Sequence, residues 1–244
     1  MNFTSLEHTV SPDIFTASPE YDKRFSGEVG DYFLAVQWNA VKEQLNRLAP
    51  GPVSILEVGG GHLQITKQLV NLGHKVTIHG SSDTAFTKLD GSELANKVNR
   101  LVSPINELAK IEERYDVIIA LRLVPHVVNE KELIVVFTRL ARIGIIFDFA
   151  STQGLNSLSK FTFALKRGIE KNTRPYFNHS QATLKKILAQ SSCSEIQFNG
   201  QFVFPMGAHR ALKNIKISKL LEAAASPFQN FWGNPVICGA KKYG

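Results

Sequence analysis

A short glycine-rich stretch is the part of this sequence best suited to holding a ligand. It reads Glu57-Val58-Gly59-Gly60-Gly61 and continues an apolar run. Glycines between a strand and a helix let the backbone approach a bound molecule closely, and the first turn of the helix offers unpaired N–H groups. The pattern predicts a binding turn; a tight turn without any ligand is the alternative.

The residues that flank this turn indicate which kind of nucleotide-containing ligand it would bind. A dinucleotide-binding turn needs Gly-x-Gly-x-x-Gly, and Gln64 stands where the last glycine would be. An acid two residues before Gly-x-Gly, as Glu57 stands before Gly59, is instead typical of sites for S-adenosylmethionine (SAM). We therefore expect a SAM site and disfavour a nicotinamide oxidoreductase.

Three further residues are candidates for proton transfer or substrate contact. His126 follows a predicted strand and would lie at the carboxyl end of the sheet, where ligands bind in α/β folds. An unperturbed histidine pKa near ~6.5 suits a general base; the alternative is a histidine that only holds the turn. His179 either covers an acceptor or starts a helix, and Asp148 is either a pocket acid or an acid at the end of a strand.

The elements that would position these residues alternate regularly along the chain. Apolar runs predict strands at 53–58, 75–79, 100–102, 115–121 and 143–149, with helices at 25–48, 62–72 and 130–141. Two more strands, 195–204 and 236–241, would enclose a helix at 217–225. This rhythm predicts an α/β, Rossmann-like, seven-stranded and mainly parallel sheet with helices on both faces.

Four segments carry a resemblance to a known family: 55–62 (ILEVGGGH), 76–82 (VTIHGSS), 115–120 (YDVIIA) and 123–127 (LVPHV). The chain resembles the class I SAM-dependent methyltransferases over about residues 21–150. It looks most like the methyltransferase-type-11 group of bacterial small-molecule methyltransferases. The phrases at 24–33 (RFSGEVGDYF) and 171–176 (KNTRPY) look like one branch of that group.

The resemblance implies a role for each part of the cofactor site. The glycines would face the methionine part of SAM, and Glu57 would support it. Such proteins normally carry an acid at the end of the second strand for the ribose hydroxyls. This chain has His79-Gly80-Ser81-Ser82 there, so that Ser81, Ser82 or the later Asp83 would take that contact. The implied cofactor-binding set is Glu57, Gly59, Gly60, Gly61, Ser81, Ser82, Asp83, Ser103, Leu121, Arg24 and Tyr21.

The remaining members of that set flank the cofactor. Ser103 would lie beside adenine, and Leu121 with its neighbours Arg122 and Leu123 would line the sulfonium end. Tyr21 and Arg24 would form a lid in which Arg24 pairs with the cofactor carboxylate; a solvated charge is the alternative for Arg24.

The resemblance implies methyl transfer from SAM to a small molecule by in-line displacement at the sulfonium, with S-adenosylhomocysteine (SAH) as product. Two alternatives stay open: a degenerate, non-catalytic partner subunit with this fold, and an RNA methyltransferase that uses the basic surface. A nucleic-acid substrate is disfavoured because the Asn/Asp-Pro-Pro-Tyr signature of base-amine methyltransferases is missing after the fourth strand.

Composition bounds the class of protein. The 244 residues include 28 Lys and Arg against 21 Asp and Glu, a formal net charge of +7, and 43% are hydrophobic. The two cysteines form no zinc-type pair, which disfavours a structural metal, and no apolar stretch approaches the ~20 residues of a membrane span. Because no secretory signal is visible, we expect a cytoplasmic protein. We expect it to be a monomer or a homodimer.

Within one domain, we expect an N-terminal arm and helical lid at 1–50 and a SAM-binding core at 51–150. A covering insertion and helix would follow at 151–190, and closing strands at 191–244. The stretch 159–167 mixes aromatic and basic residues. Such a stretch is compatible with a lid over an anionic or amphiphilic acceptor, with a transient membrane contact, or with a helix whose apolar face packs on the core.

Overall fold

A twisted central sheet organises the computed structural model, which describes residues 12–153 and 176–243. Within those ranges the strand order is β3-β2-β1-β4-β5-β8-β7, and the short β6 pairs with the end of β5. Strands β1 to β5 are parallel, whereas β8 runs antiparallel to both β5 and β7. The strands are β1 (Ser54–Val58), β2 (Lys75–Gly80), β3 (Asn99–Val102), β4 (Tyr115–Ala120), β5 (Ala141–Ser151), β6 (Asn178–His179), β7 (Cys193–Gly200) and β8 (Val236–Lys242).

Helices cover both faces of this sheet. Those described are α1 (Pro12–Thr16), α2 (Pro19–Asp22), α3 (Gly27–Leu48), α4 (Thr66–Asn71), α5 (Thr87–Asp90), α6 (Glu130–Leu140), α7 (Gln181–Gln190), α8 (Met206–Leu212), α9 (Ile215–Ala225) and α10 (Gln229–Trp232). The predicted α/β architecture, with a mainly parallel seven-stranded sheet, is confirmed. None of the helices in the described ranges combines the length and hydropathy needed to cross a bilayer.

The two faces of the sheet follow from the two-residue period of the strands. Ile55 and Val117 belong to the core cluster that includes Val41 and Leu45 of α3. Leu56, one residue after Ile55, points to the opposite cluster, which contains residues of α6. Strands that bury both faces read as continuous apolar runs, which is why the sequence revealed them.

The described chain begins with two short helices inside the region predicted as an arm and helical lid. Residues 12–16 form α1 and residues 19–22 form α2. The Ser18 hydroxyl accepts a hydrogen bond from the Tyr21 N–H, and Pro19 occupies the first helical position, which together start a helix. A Ser-Pro helix start is visible in the sequence, but a helix this short gains its stability from packing.

Two other boundaries moved. The helix after the glycine turn was predicted from residue 62, but a 3₁₀ turn spans Gly60–His62 and α4 begins at Thr66. Leu63 between them has a left-handed backbone (φ 56°), which interrupts the helix. Strand β7 ends at Gly200, whereas the sequence predicted that it would extend to residue 204. Most of the 151–176 insertion, including the stretch 159–167 and most of the phrase at 171–176, lies outside the described residues.

Candidate functional site

The glycine turn lies at the carboxyl end of β1 and opens towards a cleft. Gly59 has φ +70°, which L side chains rarely adopt, and its N–H donates to the His79 carbonyl (3.0 Å). A Cβ added to Gly59 would point at Asp13, 3.7 Å away. A Cβ at Gly61 would instead collide with the Ala85 carbonyl. Gly59 is therefore the glycine that faces the cleft, and Gly61 is required for packing.

Glu57 supports the turn from beneath. Its carboxyl group is buried and accepts a hydrogen bond from the Thr66 hydroxyl at 2.7 Å. Burial raises the pKa of Glu57 to about 8, although the Thr66 bond acts in the opposite direction. Its Oε1 atom has no hydrogen-bond partner among the described residues. At neutral pH the carboxyl is largely protonated and can hold a proton at that oxygen.

The cleft beside Gly59 is filled by the N-terminal helix α1. Both the N–H and the hydroxyl of Ser81 donate to the carboxylate of Asp13, at 2.6 and 2.9 Å. The space left between Asp13, Gly59, Ser81 and Leu123 is a cavity of about 10 Å³. That volume holds about one water molecule, so any larger ligand must displace α1.

His79, which lines this cleft, and its bonded neighbour Ser103 carry polar atoms suited to a nucleoside. His79 donates through Nε2 to the Ser103 carbonyl (2.8 Å), while its Nδ1 and the Ser103 hydroxyl have no partner among the described residues. Buried polar atoms are normally paired, so unpaired ones mark a place where a ligand or water binds. Together with the cradle at Gly59, they fit the adenosyl part of SAM once α1 has moved.

A second, larger cavity of about 180 Å³ lies beyond the end of β4. Aromatic, charged, polar and apolar side chains from six parts of the chain meet there. They are Tyr21, Arg122, Pro125, His126, Asp148, Tyr176, Met206, Asn234 and Pro235. Its size suits a small molecule rather than a polymer.

Arg122 is the cation of this second cavity. Its guanidinium donates to the side-chain carbonyl of Gln37 (2.6 Å) and to that of Gln64 (2.8 Å), and it contacts the Tyr21 hydroxyl (3.3 Å). It also lies 4.2 Å from the centre of the Phe25 ring, a cation–π distance. All of these partners are neutral, so the guanidinium is oriented without being neutralised by them.

Two more arginines lie near Arg122. The Arg24 guanidinium lies 5.2 Å from the centre of the Tyr21 ring. Burial, together with repulsion from Arg24 and Arg122, lowers the pKa of Arg210. The Arg24 and Arg122 guanidinium groups thus both lie against the Tyr21 ring, 5.2 and 5.8 Å from its centre.

Asp148 is the carboxyl group of the second cavity. It accepts a hydrogen bond from the backbone N–H of Arg122 at 2.5 Å, where Arg122 itself has a left-handed backbone (φ 61°). Burial raises the pKa of Asp148 to about 6, and the charge of Arg122 limits that rise. Asp148 is therefore mainly ionised at neutral pH and can accept a proton there.

The predicted proton-transfer histidines occupy different places. His126 lines the second cavity, with its ring centre 5.5 Å from that of Tyr176. His179 lies in β6, buried, with Nδ1 3.7 Å from a carboxylate oxygen of Glu130. Burial lowers the pKa of His179, and Glu130 acts against that change. His179 is not among the residues that line either cavity; both catalytic roles stay predictions.

The residues predicted to bind the cofactor also lie in different places: some line the cleft and others do not. Gly59 and Ser81 line the cleft, whereas Leu121 is buried in the core and Leu123 lines the cleft in its place. The Ser82 hydroxyl bonds to that of Thr84, and Asp83 is exposed. Asp13 was missed altogether, because nothing in a polar arm marks one acid as a cleft residue.

Comparison with known proteins identifies the fold. No protein-family model matches the chain, and no curated protein matches it. Among solved structures, magnesium protoporphyrin IX methyltransferase from Synechocystis PCC 6803, with bound SAH, has a TM-score of 0.61 at 17% identity. The match covers 95% of this chain and 98% of that one.

Two further structures agree with this match. A SAM-dependent methyltransferase from Archaeoglobus fulgidus has a TM-score of 0.58 at 15% identity, over 92% of this chain and 98% of that one. Haemonchus contortus phosphoethanolamine N-methyltransferase 2, in complex with SAM, has a TM-score of 0.58 at 13% identity, over 99% of this chain and 60% of that one. The chain therefore has the class I SAM-dependent methyltransferase fold, as the resemblance predicted.

Proposed function

We propose that this protein transfers a methyl group from SAM to a small anionic molecule. The observation that carries the proposal is the cleft at the carboxyl ends of β1 and β2. There Gly59, which faces the side chain of Asp13, adjoins His79, and buried polar atoms of His79 and of its bonded neighbour Ser103 have no partner among the described residues. The fold is shared with structures that contain SAM or SAH. In this fold class ligands bind at that edge of the sheet.

The residues of the cleft would hold the cofactor after α1 is displaced. Because Gly59 has no side chain, it would leave room for the bound cofactor. The Ser81 N–H and the Ser103 hydroxyl would donate hydrogen bonds to the cofactor. Bound SAM supplies a methyl group on a sulfonium centre, which an acceptor attacks in line. The protein's main contribution to such a displacement is alignment and the exclusion of water.

The second cavity would hold the acceptor. Arg122, fixed by Gln37, Gln64 and Tyr21, is oriented to bind a carboxylate or phosphate group, because guanidinium donors match the geometry of these anions. If the attacking atom carries a proton, the ionised carboxylate of Asp148 or the ring of His126 is in the same cavity to accept it.

Calorimetric titration of the purified, cofactor-free protein with SAH tests the cofactor site. We expect micromolar binding by the wild type and no measurable binding by Gly59→Val, whose branched side chain would fill the cleft. Gly91→Val is the matched control, since a Cβ at Gly91 meets nothing within 4 Å. Equal SAH affinity in wild type and Gly59→Val would contradict this placement of the cofactor.

The acceptor site is tested by titrating SAH-loaded protein with benzoate, phenyl phosphate and benzylamine. We expect the two anions to bind and the amine not to bind. Arg122→Lys should weaken anion binding by about 10- to 100-fold, the range for a charge-assisted hydrogen bond, with SAH affinity unchanged. Arg142→Lys, a substitution of a half-exposed arginine outside both cavities, is the control. Preference for the amine would contradict an anionic acceptor.

A non-catalytic partner subunit is the second candidate function. It is favoured by the absence of an acid at the end of β2 and by the Asp13 carboxylate bonded in the cleft. Absence of SAM and SAH binding by a folded wild-type sample, and by a variant in which α1 is released, would favour this candidate over the enzyme.

A further inference from the structure

Helix α9 exposes large apolar side chains to solvent and buries polar ones. Its buried residues are Ser218, Glu222 and Ala225, which recur at helical spacing and form the inner face. Ile217 and Leu220 lie on the outer face, and Leu220 is 71% exposed. Surface helices of globular proteins normally bury the apolar side, so this orientation is reversed.

A buried polar anchor causes the reversal. The Glu222 carboxylate accepts hydrogen bonds from the N–H groups of Val203 (2.9 Å) and Phe204 (3.0 Å) and pairs with His209 Nε2 (2.8 Å). Turning α9 to bury Leu220 would leave these donors unpaired and would expose the carboxylate. The anchor therefore keeps the apolar side outward.

The apolar surface continues beyond α9. A 3₁₀ turn over Ser226–Phe228 joins α9 to α10. Phe231 is 59% exposed, and the exposed rings of Phe228 and Trp232 stack with their centres 4.8 Å apart. We call Ile217, Leu220, Phe228, Phe231 and Trp232 the outer patch.

Within the segment that forms the outer patch, the exposed charges are cationic. Residues 201–235 contain four cationic side chains, Arg210, Lys213, Lys216 and Lys219, and one acid, Glu222. The acid is buried in the anchor, whereas all four cations are exposed. An apolar surface with aromatic side chains and a basic border has the composition of helices that lie in the interface of an anionic lipid bilayer.

We propose that the outer patch docks on the surface of a membrane that contains anionic lipid. Two copies of the chain joined through this patch would bring the same four cations together, which disfavours self-association. Met206, at the start of α8, lines the second cavity, and Arg210, one of the four cations, lies on the same helix.

Vesicle co-sedimentation tests the proposal with the full-length protein. We expect binding to vesicles that contain phosphatidylglycerol, little binding to phosphatidylcholine alone, and weaker binding at high salt. Leu220→Glu should reduce the bound fraction at least about fivefold, because it removes apolar area and adds a repelled charge. Val128→Glu, at a 57% exposed residue elsewhere, should bind like the wild type.

Three outcomes would overturn the proposal. The first is equal sedimentation of wild type and Leu220→Glu with anionic vesicles. The second is a wild-type dimer in light scattering that Leu220→Glu converts to a monomer, which would assign the patch to a second copy. The third is slow reaction of Leu220→Cys with a water-soluble maleimide, which would mean that another segment of the chain covers the patch. Cys193 and Cys238 are buried and do not interfere.

Discussion

Glu57 and Asp148 are both buried at the carboxyl ends of strands, but their surroundings give them different protonation states. Burial raises the pKa of Glu57 to about 8, with only the Thr66 hydroxyl bonded to it. The pKa of Asp148 rises only to about 6, since the charge and the backbone N–H of Arg122 stabilise its ionised form. At neutral pH one acid is thus mainly neutral and supports the glycine turn, whereas the other is mainly ionised in the second cavity.

The raised pKa of Glu57 predicts a pH-dependent stability. A folded-state pKa of about 8, against an ordinary glutamate pKa of about 4.5, means that stability is lost as the pH rises through that window. Glu57→Gln removes this titration and keeps an acceptor for Thr66. We expect the variant's melting temperature, relative to wild type, to increase steadily from about pH 5 to about pH 8. Thermal denaturation across this range measures the difference.

Glu28→Gln, at an exposed position on α3, is the control for this measurement. Its melting temperature should follow that of the wild type at every pH. Parallel curves for Glu57→Gln and wild type would mean that Glu57 titrates as an ordinary exposed carboxyl, and would contradict its assignment as a neutral support of the turn.

Helix α1 fills the cleft beside Gly59, where we propose that the cofactor binds. Its only charged residue, Asp13, bonds twice to Ser81, and five residues of helix are too few to be stable without such contacts. The cleft beside Gly59 would therefore open by the displacement of one short helix. Ligand entry must break the Asp13–Ser81 contacts, and part of the binding free energy is spent on doing so.

We expect Asp13→Ala to bind SAH at least about tenfold more tightly than wild type, because the loss of two charge-assisted bonds releases α1. Isothermal titration gives the affinities. Asp31→Ala, an exposed position on α3, is the control and should bind like wild type. Weaker binding by Asp13→Ala would instead show that Asp13 itself contacts the ligand and supplies the acid that the end of β2 lacks.

For the whole molecule, ligand binding to the folded state predicts a shift in thermal stability. At about 100 times its Kd, SAH should add about 2.7 kcal/mol, which for a chain of this size raises the melting temperature by about 5–10 °C. Gly59→Val should show no rise. NAD should not raise the melting temperature of the wild type. A melting temperature raised by NAD but not by SAH would contradict the choice of SAM over a nicotinamide dinucleotide, which was based on Gln64.

Much of the architecture was readable from the sequence because it depends on local patterns. Buried parallel strands require continuous apolar runs, so β1, β2, β4 and β5 were found to within two residues at either end. The glycine turn was recognisable because a left-handed backbone at Gly59 requires glycine. Both features depend only on neighbouring residues, and the fold class followed from them.

The site itself was decided by contacts between residues far apart in the chain. Asp13 and Ser81 are 68 positions apart, and Arg122 and Gln37 are 85 apart. No local pattern marks such partners, since each is one polar residue among many. The direction of α9 was equally hidden, because the Glu222 anchor overrides the apolar side of its helix. The sequence by itself determined the sheet and the glycine turn. Only tertiary packing decided which side chains line the two cavities, which of those side chains are charged, and which helix fills the cleft.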